Sequence, residues 1–277
     1  MTQRSTVFIG GGNMASALIG GRIAAGAKAS DFGVVEPLSS QRDALRARFS
    51  GIHVSAKAAA EVIAGTSVVV LAVKPQQMQD AAMALAPHVR DVPVVLTIAA
   101  GIRTPDLSRW LGGYRRIVRA MPNTPALVGA GISGVYAAAD VDAKARDAAA
   151  AILRAAGDIV WCNDEAMLDG VTGVSGSGPA YVFYFLEALE QAARELGFSP
   201  ADARRLAYAT VSGAMMLAQK SDADAATLRA QVTSKGGTTE RALATLEAND
   251  VKASIINAVK DAAQRARELG DEFGKEE

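Results

Sequence analysis

A glycine-rich segment near the start of the chain has the spacing that binds a pyrophosphate. It reads Gly10-Gly11-Gly12-Asn13-Met14-Ala15, which is G-x-G-x-x-A, and it follows the apolar run Val7-Phe8-Ile9. Between a strand and a helix, the first glycine permits a tight turn and the second lets the pyrophosphate approach the backbone. A plain glycine turn is the simpler alternative. The residues that the pattern predicts to contact a dinucleotide are Gly10, Gly12, Asn13 and Met14.

An acidic residue, Glu36, ends the second predicted strand, where a carboxylate would hold the ribose hydroxyls of NADH. The same charge would repel the 2′-phosphate of NADPH. Ser39, Ser40 and Arg42 lie just beyond and could instead contact that phosphate. Glu36 is equally a candidate for a solvated loop residue. The sequence therefore leaves both NADH and NADPH open as the cofactor.

Three more segments end predicted strands, and ligands of open parallel sheets bind at such strand ends. Lys74 is either a residue at the edge of the cofactor or a solvated lysine. The small residues Ala99-Ala100-Gly101 would let a flat nicotinamide ring lie against the backbone, although an ordinary turn has the same composition. The run Met121-Pro122-Asn123-Thr124-Pro125 predicts a stiff polar loop. The cofactor-binding candidates at these ends are Ala72, Lys74, Pro75, Ala99, Ala100, Gly101, Met121 and Asn123.

A second glycine-rich run, Ser234-Lys235-Gly236-Gly237-Thr238-Thr239, precedes a predicted helix. Two adjacent glycines free backbone amides at a helix N-terminus, and such amides bind a carboxylate. Lys235 adds positive charge nearby. The simpler alternative is that Thr238 only caps the helix, and the glycine pair alone does not decide between the two.

The elements that must position these residues alternate between strand and helix in the first half of the chain. The uninterrupted apolar run Val68-Val69-Val70-Leu71-Ala72-Val73 is typical of a strand covered on both faces. The predicted strands are 6–9, 33–35, 67–73, 94–98, 116–119, 132–136 and 158–162, and the predicted helices are 14–25, 40–49, 76–86 and 142–156. This alternation predicts a parallel-rich sheet with helices on both faces.

Beyond residue 162 the strand signals stop, and helices are predicted at 178–197, 199–220, 239–248 and 251–269. The first two turns after Gly178 are apolar nearly all round, so we expect them to be buried, in part against a second subunit. We predict an α/β Rossmann-like dinucleotide-binding domain at residues 1–162. An all-α domain for dimerisation and substrate binding follows at residues 163–277. The charged tail, 271–277, is expected to fray.

The composition of the 277-residue chain excludes several classes of protein. Lys plus Arg and Asp plus Glu each number 29, so the zero net charge gives no reason to expect a nucleic-acid or anionic-membrane partner. Cys162 is the only cysteine, which rules out an intrachain disulfide and a cysteine-based zinc site. Neither a secretory signal nor an apolar run of about 18 residues is evident. We therefore expect a cytoplasmic protein.

Six segments, in order, resemble the pyrroline-5-carboxylate reductase family. They are Ile9-Gly-Gly-Gly-Asn-Met-Ala15, Leu71-Ala-Val-Lys-Pro-Gln76, Ile98-Ala-Ala-Gly-Ile102, Arg119-Ala-Met-Pro-Asn-Thr-Pro125, Gly173-Val-Ser-Gly-Ser-Gly-Pro-Ala-Tyr181 and Val232-Thr-Ser-Lys-Gly-Gly-Thr-Thr239. Each segment is common alone, but all six in this order are specific. The family often has an asparagine shortly before the strand predicted at 67–73. This chain has Ala58-Ala59-Ala60 there, which puts the NADPH assignment in doubt.

The resemblance implies reduction of 1-pyrroline-5-carboxylate to proline by NADPH or NADH, in a homodimer with interleaved helical domains that often assembles into a decamer. The family threonine near the substrate nitrogen falls on Thr239. Ser234, Gly236, Gly237 and Thr238 would lie in the carboxylate-binding loop. A protonated C=N bond is already electrophilic, so hydride transfer needs little beyond proximity and orientation.

No metal is expected in this protein. Asp164, Glu165 and Asp169 form an acidic cluster in which a divalent cation is conceivable. However, acids in the first turn of a helix complement the helix dipole, and that role explains the cluster without a cation.

Two other functions stay open. β-Hydroxyacid dehydrogenases share this architecture, but they usually carry a lysine on the helix that here begins at Pro179, and this chain has none until past residue 200. A nucleotide-binding dimer without catalysis, such as a redox sensor, would not need the Gly-Gly-x-Thr run at 236–239. Turnover of a cyclic imine separates these alternatives from the reductase.

Overall fold

The computed structural model describes residues 4–275, and its central feature is an eight-stranded sheet. The strand order is β3-β2-β1-β4-β5-β6-β7-β8, and neighbours are parallel except for the antiparallel pair β6 and β7. The predicted α/β class with a parallel-rich sheet is confirmed. The strands are β1 Thr6–Ile9, β2 Phe32–Val35, β3 His53–Ser55, β4 Val68–Leu71, β5 Val94–Thr97, β6 Ile117–Met121, β7 Gly131–Ala137 and β8 Gly157–Trp161.

The register of the sheet brings several predicted site residues to one edge. Ile9 on β1 lies beside Val35 on β2 and Leu71 on β4, and Leu71 lies beside Thr97 on β5. The segments that follow these four strands therefore begin side by side. The strand order also reverses between β1 and β4, which is the point where ligands bind in open α/β sheets.

Helices cover both faces of the sheet and leave two apolar cores. Successive strand residues face opposite sides, so Phe8 packs into one core and Val7 into the other. Helices α1 and α6 contribute to the Phe8 core, and α4 and α5 contribute to the Val7 core. The helices of this part of the chain are α1 Asn13–Ala24, α2 Ser39–Arg48, α3 Ala60–Ile63, α4 Met78–Leu85, α5 Thr104–Trp110, α6 Ala143–Arg154 and α7 Met167–Val171.

Backbone contacts divide the chain into two compact units. The first comprises Met1–Ser177 and Asp261–Glu277, and the second comprises Gly178–Lys260. The helices of the remaining chain are α8 Gly178–Glu195, α9 Pro200–Gln219, α10 Ala225–Gln231, α11 Thr238–Ala248 and α12 Val251–Phe273. These limits differ from a division at residue 162, and the domain boundary at 162 stays a prediction.

The helical unit leaves much apolar surface uncovered within a single chain. On α8, Phe183 and Tyr184 are 58% and 77% exposed, and on α9, Met216 is 58% exposed. Exposed apolar area of this kind usually marks a protein interface. The expected burial of the first turns of α8 is therefore not reached within one chain.

The glycine-rich run before α8 is helical. Residues Thr172–Gly176 form a π-helical turn that continues α7, and the Thr172 hydroxyl donates to the Leu168 carbonyl at 2.8 Å.

The expectation for the charged tail is wrong at its start. The tail was expected to fray from residue 271. Instead α12 continues to Phe273, because Phe273 packs against the Val7 core and Asp271 pairs with Arg103 at 2.7 Å. Residues 276 and 277 of that tail lie outside the described residues.

Candidate active site

The glycine-rich turn after β1 is open where a phosphate would approach. Gly10 has a φ of +96°, and a Cβ there would lie 2.8 Å from the Ala72 carbonyl oxygen, so only glycine fits. At Gly12, by contrast, no atom lies within 4 Å of the position of a Cβ. Gly12 is also the N-cap of α1, and no side chain in the described residues caps it. The first amides of α1 are therefore available to an anion.

Glu36 is buried, and both of its carboxylate oxygens accept hydrogen bonds from the backbone. Oε2 accepts from the Gly11 amide at 3.0 Å, and Oε1 accepts from the Leu38 amide at 3.0 Å. Arg42 donates to the Glu36 and Pro37 carbonyls at 2.8 and 2.7 Å. Glu36 thus ties the glycine-rich turn to the end of β2, which excludes the interpretation as a solvated loop residue. Its role toward a ribose stays a prediction.

The other predicted strand-end residues lie at the same sheet edge but differ in environment. Ala72 is half-buried, Lys74 is exposed, and Pro75 starts a short 3₁₀ turn. Ala99 and Gly101 are buried after β5. Asn123 is buried, and its Oδ1 accepts from the Ile132 amide at 2.9 Å, so this side chain anchors the start of β7. Met121 ends β6 and lies against Gly176, where a Cβ would come within 2.8 Å of its Cε.

A buried ionic network lies beside this edge. Arg119 on β6 is 4% exposed and donates to Glu165 Oε1 at 3.0 Å, and Asp169 Oδ1 is 3.9 Å away. Glu165 also accepts from the Thr104 amide at 2.8 Å and from the Thr104 hydroxyl at 2.6 Å. The expectation that these acids serve the dipole of their own helix is therefore wrong for Glu165, which binds the first residue of α5. The sequence did contain a signal for this pair, because Arg119 is a charged residue within an otherwise apolar strand and a buried arginine needs an acidic partner.

The second glycine-rich run forms the start of α11 in the helical unit. Gly236 has a φ of +72°, and Gly237 is the N-cap of α11 without a side-chain cap from the described residues. A Cβ on Gly237 would lie 2.5 Å from Ser234 Oγ, which explains the glycine. Thr239 is half-buried in the first turn, whereas Thr238 and Ser234 are exposed. The run therefore presents helix amides and a threonine hydroxyl together.

Sequence reasoning missed Glu240 in this run. Its carboxylate accepts from the Gly236 amide at 2.6 Å, so that amide is not free for a ligand. An acid three residues after the N-cap reaches back to a preceding amide in the capping box, and this rule could have found it. The amides of the first turn of α11 have no partner of that kind within the helix.

Three further features of the described residues concern metal ligands, the single cysteine and the helices. Within residues 4–275 no group of three His, Cys, Asp or Glu side chains is arranged to hold a metal ion. Burial raises the pKa of the Cys162 thiol above its ordinary value, so little reactive thiolate forms at neutral pH. Among the helices of the described chain, none combines the length and apolarity needed to cross a bilayer.

An open phosphate turn at the reversal of a parallel sheet, joined in one chain to a helical unit, is typical of a dinucleotide-binding protein with a Rossmann-like domain. Comparison with known proteins supports both parts. Residues 5–101 match the family model described as NADP oxidoreductase, coenzyme F420-dependent, and residues 165–269 match the model described as pyrroline-5-carboxylate reductase dimerisation. The second match supports self-association of the chain.

Relatives along the whole chain identify the family. The chain is 43% identical over 275 residues to pyrroline-5-carboxylate reductase of Pseudomonas aeruginosa, covering 99% of this chain and 100% of that protein. The enzyme of Pisum sativum is 36% identical, with 95% and 94% covered. The chain therefore belongs to the pyrroline-5-carboxylate reductase family and is an NAD(P)H-dependent oxidoreductase.

Solved structures agree with this assignment. A pyrroline-5-carboxylate reductase from Coxiella burnetii superposes with a TM-score of 0.90 at 37% identity, covering 97% of this chain and 99% of that one. The Plasmodium falciparum pyrroline carboxylate reductase, solved with NADP bound, gives a TM-score of 0.85 at 28% identity, with 98% and 99% covered.

Proposed function

We propose that this chain transfers a hydride from NAD(P)H to the C=N bond of 1-pyrroline-5-carboxylate and so forms L-proline, the final step of proline biosynthesis. Family membership supports the reaction. The observation that carries the proposal for the site is the uncapped start of α11, where free helix amides and the Thr239 hydroxyl occur together.

The cofactor is proposed to bind at the edge of the sheet in the first unit. The open position at Gly12 and the uncapped start of α1 fit a pyrophosphate. When bound, NAD(P)H supplies the hydride. The residues proposed to hold it are Gly10, Gly12, Asn13, Met14, Glu36, Ala72, Lys74, Pro75, Ala99, Ala100, Gly101, Met121 and Asn123.

The substrate is proposed to bind at the second glycine-rich run. The first amides of α11 would hold its carboxylate, and the helix dipole favours a negative charge there. The carboxylate-binding loop is proposed to consist of Ser234, Gly236, Gly237 and Thr238. Glu240 holds the start of this loop in place by accepting a hydrogen bond from the Gly236 amide. Thr239 would hydrogen-bond the ring nitrogen and relay a proton from water to it. These two contacts fix the orientation of the ring.

The test is oxidation of NADPH and of NADH, measured in parallel with purified protein and pyrroline-5-carboxylate. Proline should appear in step with the loss of the cofactor. The ratio of the two rates then gives the cofactor preference. Binding of both cofactors without consumption of either would instead favour a nucleotide sensor and refute the proposed reaction.

Replacing Glu36 by glutamine should weaken NADH and NADPH binding alike, by about 3- to 10-fold. The amide group of glutamine can accept at only one atom, so the turn loses one backbone contact of about 0.5 to 1.5 kcal/mol. Fluorescence titration of each cofactor measures the affinities. Asp43→Asn, which removes an exposed acid on α2, is the control. A gain in NADPH affinity alone would contradict this expectation and show that Glu36 acts as a charge against the 2′-phosphate.

Self-association is proposed to produce a homodimer through the helical unit, with assembly into a decamer as the resemblance implies. The uncovered apolar side chains on α8 and α9 support an interface there. Static light scattering separates the dimer from the decamer by mass.

We also propose that the protein acts in the cytoplasm. Its single cysteine, Cys162, is a free thiol, and free thiols are typical of proteins of the reducing cytoplasm.

A further inference from the structure

The last turns of α12 cover the loop that follows β5. A Cβ on Gly101 would lie 3.1 and 3.2 Å from two ring atoms of Phe273, and 3.4 Å from the Cβ of Leu269. Gly101 has a φ of +73°, so the backbone here adopts a conformation that side chains rarely allow. The Phe273 ring thus lies directly on the backbone of Gly101 and also packs against the Val7 core.

Polar contacts fasten the same turns to both ends of α5. Arg103, the N-cap of α5, pairs with Asp271 at 2.7 Å and donates to the Arg267 carbonyl at 3.1 Å. Arg109, in the last turn of α5, donates to the Gly274 carbonyl at 3.2 Å. Contacts from five residues between Arg267 and Gly274, at the end of α12 and just beyond it, therefore hold the loop after β5 and helix α5.

Other groups restrain the two sides of this loop. The Thr104 amide and hydroxyl donate to Glu165, and the Ala99 and Ile102 side chains are buried in the Val7 core. Gly101 has no side chain of its own to anchor it, and the Phe273 ring lies over its backbone. We therefore expect the position of the backbone at Gly101 to depend on Phe273.

We propose that Phe273 is a positioning residue. Its ring fixes the position of the 99–101 backbone, and the nicotinamide ring lies against that backbone. The proposal rests on the proposed function, because the ring is assigned to this loop there. Phe273 touches neither the cofactor nor the substrate in this proposal and acts only through Gly101. The adenosine half of the cofactor is assigned to the turn after β1 and the end of β2. Its binding should therefore not depend on Phe273.

The experiment compares two pairs of ligands, and the members of each pair differ only in the nicotinamide. Dissociation constants are measured for NADPH and for 2′-phospho-ADP-ribose, and for NADH and ADP-ribose, with wild type and with Phe273→Ala. We expect Phe273→Ala to weaken binding of the nicotinamide ligands about tenfold, which corresponds to about 1.4 kcal/mol, because the displaced backbone would no longer pack against the ring. The ligands without nicotinamide should bind as in wild type.

Two further variants separate positioning from a general loss of structure. Phe273→Leu keeps an apolar side chain over Gly101 and should restore most of the affinity. Arg265→Ala removes only exposed ion pairs to Glu268 and Glu272 on the same turns of α12, and it should change neither ligand class. Thermal unfolding of each variant is recorded alongside.

Equal weakening of both ligand classes in Phe273→Ala, or no change in either, would overturn the proposal. If Phe273→Ala does not fold, the same measurements on Phe273→Leu test the proposal. We then expect a smaller loss of affinity, confined to the nicotinamide ligands. Failure of wild-type protein to bind any of the four ligands would overturn the proposed cofactor site itself rather than the role of Phe273.

Discussion

Replacing Glu165 by glutamine should lower the free energy of unfolding by about 3 kcal/mol, the lower end for a broken buried ion pair, because it leaves Arg119 with only the more distant Asp169 carboxylate, 3.9 Å away, as its counter-charge. Arg119 is 5% exposed at its side chain and Glu165 is 18% exposed, so water cannot replace the lost interaction well. Glutamine keeps an acceptor at only one of the two oxygen positions, so an NH2 group faces either the Thr104 hydroxyl or the shared site of the Thr104 amide and Arg119. Urea unfolding measures the loss at a fixed protein concentration, since the stability of an oligomer depends on concentration.

The control for this variant is Arg265→Met on α12. Arg265 forms ion pairs with Glu268 and Glu272 that are about half exposed, and exposed pairs contribute at most about 1 kcal/mol. A loss for Glu165→Gln no larger than that of the control would show that the network is solvated in the assembled protein.

Replacing Thr239 by alanine should lower kcat/KM by about 5- to 150-fold, which corresponds to about 1 to 3 kcal/mol for a hydrogen bond to the reacting nitrogen. The effect should fall mainly on kcat, because without the hydroxyl the ring nitrogen receives less readily the proton that makes the C=N bond electrophilic. Steady-state kinetics with pyrroline-5-carboxylate measure both constants. Unchanged kinetics would remove Thr239 from the mechanism.

Two matched variants on α11 locate this effect. Thr245→Ala removes a hydroxyl that only donates to the Arg241 carbonyl two turns along the same helix, so it should leave the kinetics unchanged. Gly237→Val places a side chain against Ser234 and should raise mainly KM, because it blocks the carboxylate loop. A fall in kcat with Gly237→Val as large as with Thr239→Ala would mean that the two positions act as one unit.

The sequence predicted the sheet well because its strands carry their own signal. The run at 68–71 is apolar and β-branched, and strands 6–9 and 94–98 were predicted to within a residue or two. β3 was missed, since its three half-buried residues resemble a loop and its pairing with β2 joins segments far apart in sequence. α10 was missed for a related reason, because seven residues give little periodicity, although Asp224 caps its start.

The site could be predicted where one residue type is required locally. At Gly10 a Cβ would collide with the Ala72 backbone, and at Gly237 it would collide with Ser234, and such glycine positions are visible as motifs. The Arg119–Glu165 pair could not be found in this way, since its members lie 46 positions apart and only the fold brings them together. The same holds for Phe273, whose charged neighbours predicted a frayed tail while its ring packs against Gly101.

The division of the chain into units also has a consequence for synthesis. The first unit is interrupted after Ser177 and is resumed only at Asp261, so the helical unit is an insertion within it. Because a chain is made from its N-terminus, the sheet can form early, but the loop after β5 stays uncovered until Phe273 has left the ribosome. A protein shortened by a late stop codon would keep its glycine-rich turn and lose the cover over Gly101. An isolated nucleotide-binding fragment therefore needs residues 261–275 joined to residue 177, rather than a simple truncation.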